Sequence, residues 1–307
     1  MRPINTAFLK ELCSIHAPSG HESPITDFLT SYILSEQRNW KVQPKVLYGG
    51  EFQDAIVLVF GEPRTAIFAH IDSIGYSVRY NNQLVRIGGP EWENGTIVVG
   101  KDEYGNIEGT LEEIDEKWYI KYNREIERGT TLTYKPNFRE DANFVQSCYL
   151  DNRLGVYTAL EVAKTLENGI IVLTTHEEHG GGCAGTMGRY IYENYNVRQA
   201  LISDITWITE GVQHNKGVVI SLRDSGIPRR TYVDKIIAIA KKHAIPYQLE
   251  VEGSGGSDGN DLQKSPYPFD WCFIGAAEDF VHSPNEKVHI EDIRSMIALY
   301  EVLMQDL

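Results

Sequence analysis

Three apolar runs in this chain stop abruptly at acids and imidazoles. Residues 65–69 (TAIFA) lead into His70-Ile71-Asp72, and residues 170–175 (IIVLTT) lead into His176-Glu177-Glu178-His179. Residues 200–203 (ALIS) lead into Asp204. A short run that is apolar at every position is buried on both faces, as strands are in a sheet covered by helices on two sides. In an open sheet of that kind, ligands collect outside the carboxyl ends of the strands. The three polar termini are therefore expected at one edge of one sheet.

The surrounding pattern fits that architecture. Apolar residues at helical spacing mark helices over 7–15 and 25–33, with Pro24 near the start of the second. Further helices are expected over 151–168, closed by Gly169, then over 186–194, 232–240 with Thr231 as a possible N-cap, and 290–303. Buried strands at 55–60, 218–222, 247–251 and 271–276 alternate with them. Between Tyr76 and Val145 the character changes to short alternating runs (YSVRY, QLVRI, TIVVG, WYIKY, TLTYK) separated by Gly- and Asn-rich breaks. The expected fold is α/β, a mostly parallel mixed sheet flanked by helices. A catalytic domain of residues 1–74 and 148–307 carries a small antiparallel β domain inserted at 75–147.

Charge and cysteine content narrow the function. With 43 acids against 29 bases the formal charge is −14, so the chain repels a phosphate backbone and no nucleic-acid partner is expected. The apolar runs are far too short to span a bilayer, so no membrane partner is expected. Four scattered cysteines, Cys13, Cys148, Cys183 and Cys272, form neither a disulfide framework nor a thiolate metal knuckle. The first residues, MRPINTAFLKEL, contain no secretory apolar stretch, and a cytoplasmic location is expected.

Asp151 (in YLDNRLG) and His282 (in VHSPNE) join the strand-end residues as candidates. Each has an ordinary reading alone: a turn, a helix cap, a solvated strand end. Two histidines and several carboxylates gathered at one sheet edge instead form an oxygen- and nitrogen-rich metal site that needs no thiolate.

In this order, AHID, LDNRLG, EEHGGG, SDIT, GGSDGND and VHSPNE resemble the dinuclear-metal aminopeptidases of the glutamyl-aminopeptidase type. Some of these form tetrahedral assemblies, and some have been labelled endoglucanases. The opening LCSIHAPSGHES is similar to that family's N-terminal segment.

The resemblance implies an enzyme, a metal-dependent aminopeptidase that cleaves N-terminal residues from short peptides through a metal-activated water. It implies two divalent ions per chain, zinc by default, with cobalt or manganese as alternatives, and a homo-oligomer. His70, Asp151 and Asp204 would hold one ion. Asp151, Glu178 and His282 would hold the other, with Asp151 bridging. Glu177 would be the general base, and Asp72 would orient His70. Asp258 would be a substrate contact in the Gly-rich loop. Arg153 is open to two readings, a substrate carboxylate or a neighbouring pair.

Chemistry is consistent with this division. Adjacent residues at a strand end point in different directions, so Glu178 and Glu177 can serve different partners. A bridging ligand needs two equivalent oxygens, which a carboxylate has and an imidazole lacks. The chain departs from the family at Asn152, where an Asp is common, and at Ser73, where a Glu is common. It also reads HGGGCAG after Glu178, where relatives carry Val and Arg. These departures leave two alternatives, an amidase or deacylase acting on a non-peptide amide, and a non-catalytic relative. A glycosidase needs two carboxyls facing each other across a sugar, which the adjacent Glu177 and Glu178 do not supply.

Overall fold

The computed structural model describes residues 3–307. Its larger sheet has eleven strands. At the centre Gly169–Thr174, Ala66–His70, Gln199–Trp207 and Asp270–Asp279 lie side by side and parallel. Ile56–Phe60 and Lys45–Tyr48 extend one margin antiparallel. At the other margin Val218–Arg223 runs antiparallel to Asp270–Asp279 and parallel to Tyr247–Val251.

Period-two alternation explains why these strands are apolar throughout. Ile56, Leu58, Phe60, Ile67, Ala69, Ile171 and Leu173 face one core. The intervening Val57, Val59, Ala66, Phe68, Ile170 and Val172 face the other. The first core is capped by the helices Thr6–Cys13, Ser23–Glu36, Leu150–Ala163, Arg230–Lys242 and Ile290–Asp306, and the second by Cys183–Tyr195 and Asp258–Lys264. The protein is thus α/β, a mixed sheet flanked by helices on both faces.

A second, antiparallel sheet of six strands is built from residues 75–134. Arg139–Glu140 and Phe144–Gln146, which follow it, pair back onto the large sheet through Lys287–His289. His16 and His21 tie the N-terminal loop to this second sheet by hydrogen bonds to Thr131 and Thr133.

Two local expectations are corrected. Gly169 does not close a helix: Leu150–Ala163 ends earlier, and Gly169 opens the next strand at φ +154, where Met304 packs against it. Thr231 does not cap its helix, which begins at Arg230 and has no side-chain cap bond.

Candidate metal centre

The carboxyl ends of the central strands form the site. His70 closes its strand in register with Thr174, and Glu177 and Glu178 follow three and four residues later. Asp204 lies inside Gln199–Trp207, opposite Gly275 of the neighbouring strand. Asp151 sits at the start of Leu150–Ala163 with a non-helical backbone and a cis bond to Asn152. His282 arrives on the loop after Asp270–Asp279. All six line one cavity of about 280 Å³.

The two oxygens of Asp151 face different histidines. Oδ1 lies 3.2 Å from His70 Nε2, and Oδ2 lies 3.3 Å from His282 Nε2. His70 Nε2 is also 3.6 Å from Asp204 and 3.9 Å from Glu177. His282 Nε2 is 3.2 Å from Glu178. Ligand atoms of His70, Asp151 and Glu178 all fall within 4.8 Å of one another, a group able to hold a metal ion.

Crowding of carboxylates shapes their ionisation. Burial and the charge on Asp151 push Glu178 up to about 7, against the pull of His282. Burial lifts Asp204 to about 6, with His70 opposing and Asp151 adding. Burial, with Asp204 and Glu178 adding, raises Glu177 well above the carboxylate range. For Asp151 burial acts upward too, yet His282 and His70 outweigh it and hold the carboxyl low. Burial pulls His282 down, but Asp151 and Glu178 prevail and raise it to about 12.

Asp72 lies behind the cluster and is fully buried. Its oxygens accept the backbone N–H groups of Glu177 and Glu178, each at 3.1 Å, and the hydroxyl of Ser19 at 2.6 Å. His70 Nδ1 is 3.5 Å away. Burial pushes this carboxyl up, but the nearby His70 and the hydrogen bonds from Ser19 and Glu178 outweigh it and hold it below the ordinary value. Asp72 therefore couples the His70 strand to the turn carrying both glutamates.

Two expected residues lie elsewhere. Arg153 is completely buried and absent from the cavity wall; it donates to the carbonyls of Ile71 and Asp72, bracing the turn below His70. Asp258 is 3% exposed and accepts the Thr174 hydroxyl at 2.5 Å. From the same Gly-rich loop it is Ser254, Gly255 and Gly256 that reach the cavity. Neither side chain is among the residues that line the cavity.

The structure also adds residues. Ser19, in the APSG turn, holds Asp72. Glu286 is buried and accepts the N–H groups of Asp151 and His282, both at 3.2 Å, which fixes the two backbones together. It belongs to the VHSPNE motif, but that its role is toward backbone could not be read from the motif. Asp224, Glu250 and Glu252 line the cavity as well.

Residues 115–299 match the M42 glutamyl aminopeptidase family. The chain belongs to that family. YhfE of Bacillus subtilis (strain 168) is 24% identical over 97% of this chain and 96% of its own. The aminopeptidase APDkam598 of the archaeon Desulfurococcus kamchatkensis superposes with a TM-score of 0.86 at 22% identity, covering 98% of this chain and 94% of the other. The TET1 peptidase of Pyrococcus horikoshii superposes with a TM-score of 0.80 at 22% identity, covering 98% and 99%. That peptidase assembles into a tetrahedron or a large octahedral shell. At these identities the solved structures establish that the M42 chain shares their fold.

Proposed function

We propose that this M42 chain is a metal-dependent aminopeptidase that removes N-terminal residues from short peptides. The observation that carries the reading is Asp151, whose two oxygens each face a different histidine. A carboxylate so placed suits a bridge between two cations.

The residues fit such ions. Glu178 Oε1 is buried with no hydrogen-bond partner, and an unpaired buried carboxylate oxygen is unfavourable without a cation. The donor set is oxygen and imidazole, which suits zinc, with cobalt and manganese as alternatives. His70, Asp151 and Asp204 would hold one ion; Asp151, Glu178 and His282 would hold the other. Bound there, a pair of divalent ions supplies Lewis acidity that polarises a scissile carbonyl and lowers the pKa of water.

The protein's own part is positioning and proton transfer. Glu177 reaches the cavity while its backbone N–H is pinned by Asp72, so its carboxylate is held toward the space a substrate would enter. It would take a proton from the attacking water and deliver it to the leaving amine. Asp72 would orient His70 through Nδ1, leaving Nε2 toward the cluster. By likeness to the Pyrococcus horikoshii peptidase, the chain is proposed to act as a homo-oligomer.

The test is hydrolysis of aminoacyl-nitroanilides and their N-acetylated counterparts, with and without a chelator. The reading expects turnover of free-amine substrates only, lost on chelation and restored by zinc, cobalt or manganese. Turnover of acylated compounds alone would mean a deacylase. Activity that survives complete metal removal would overturn the metal dependence.

A further inference from the structure

The cavity continues beyond the acid–imidazole cluster to the margin formed by Val218–Arg223 and Tyr247–Val251. There Asp224, Glu250 and Glu252 line it. Asp224 is 8% exposed and Glu250 3%, while Glu252 is half-buried. Among the described residues the cavity wall contains no lysine or arginine, and none of the three carboxylates makes an ion pair.

Their partners are neutral. Asp224 accepts the N–H of Gly226 at 2.5 Å and the amide of Asn260 at 3.3 Å. Glu250 accepts the hydroxyl of Thr206. The buried hydroxyl of Ser221 lies beside Glu250. None of the three carboxylates faces a cation, and burial of two of them penalises their charged form, a cost that an entering cation would offset.

The rest of this wall has the complementary character. Ile205, Trp207, Phe273 and Val281 line the same cavity. A cavity lined by apolar side chains together with carboxylates matches a side chain with a methylene stem and a cationic head. The acids assigned above to metals and to the base do not include these three, so they remain to recognise substrate.

We infer that Asp224, Glu250 and Glu252 select peptides whose N-terminal side chain is cationic, lysine or arginine. This rests on the aminopeptidase reading and deepens it. An acidic N-terminal side chain would meet like charge and is the poorest substrate, although the family's description refers to glutamyl residues.

The experiment compares kcat/KM of the metal-loaded full chain on nitroanilides of lysine, arginine, norleucine and glutamate. Norleucine keeps the stem and lacks the charge. Lysine and arginine are expected to exceed norleucine by about tenfold or more, the effect of one charge-assisted hydrogen bond, with glutamate slowest. Glu252→Gln is expected to lower the lysine-to-norleucine ratio, and Glu252→Lys to lower it further; both substitutions are at a half-exposed position that tolerates change. Norleucine turned over as well as lysine would overturn the selectivity while leaving the aminopeptidase reading standing. A ratio unmoved in both variants would remove Glu252 from the determinant. No turnover of any of the four would overturn both readings.

Discussion

The side-chain amide of Asn152 donates to the carbonyl oxygen of Ser203 at 2.8 Å. Its own oxygen accepts the N–H of Gly155 at 2.9 Å. Ser203 precedes Asp204 and Asn152 follows Asp151, so one buried amide locks together the backbones that present two candidate ligands. An amide can donate to one partner and accept from another; an ionised carboxylate can only accept. Asn152→Ala would leave the Ser203 carbonyl without that donor in a buried place. The expected loss is about 1–3 kcal/mol of stability, read as a lower midpoint in denaturant unfolding. Weaker metal retention under a chelator should accompany it. An unchanged midpoint would show that the bond contributes nothing.

Metal removal should destabilise the fold. Asp151, Glu177, Glu178 and Asp204 crowd one cavity, and the upward shifts of Glu177, Glu178 and Asp204 show burial and mutual repulsion acting on them. A ligand at about 100-fold above its Kd stabilises by about 2.7 kcal/mol. Chelation should therefore lower the melting temperature by several degrees, and excess zinc should restore it. Asp151→Ala should melt at a temperature indifferent to either addition. A wild-type melting curve insensitive to chelation would argue against a cation in the cluster.

Much of this candidate site was legible because its residues follow apolar strand segments, although Asp204 proves to lie inside its strand rather than at the end. His70, Glu177, Glu178 and Asp204 each follow an apolar run, and apolar runs of that length have few alternatives to a buried strand. Asp224, Glu250 and Glu252 were not legible. They are single acids separated in sequence, and only the parallel pairing of Val218–Arg223 with Tyr247–Val251 brings them to one wall. Arg153 stayed open between two readings for a related reason. An arginine next to a catalytic motif reads equally as a substrate clamp or a structural brace, and complete burial decides for the brace.

Ser19 was hidden in what read only as a helix stop. The turn it occupies pairs with the turn after His70: the N–H of Ser19 donates to the carbonyl of Ser73 at 3.1 Å, and that of Ser73 to Ala17 at 3.0 Å. This clamp brings the Ser19 hydroxyl onto Asp72. It also accounts for Ser73, whose small side chain fits between the two turns and donates to the carbonyls of Ala17 and Ile74. Ser19→Ala should let the Asp72 carboxylate drift from His70. Removing a partner that orients a ligating histidine typically lowers metal affinity or activity about 10–100-fold. Competition with a chelator, followed alongside kcat, would detect the change. Wild-type values in both would show that the backbone N–H groups of Glu177 and Glu178 suffice to hold Asp72.

Glu177 and Glu178 are neighbours in sequence with different surroundings. Glu178 is 4% exposed in its side chain and lies 3.2 Å from His282, whereas Glu177 is 18% exposed and faces the cavity. Replacing Glu177 by glutamine keeps the shape and removes the basic oxygen. Loss of a general base typically costs about 10²–10⁴-fold in rate, and kcat should fall by that order. Metal content should stay at the wild-type level, because the residue is not needed to hold an ion. Glu178→Gln should do the reverse in part, releasing metal as well as activity. If Glu177→Gln retained wild-type kcat, the proton would have to leave through another group. If it instead lost metal, Glu177 would be a ligand, and the roles of the two glutamates would have to be exchanged.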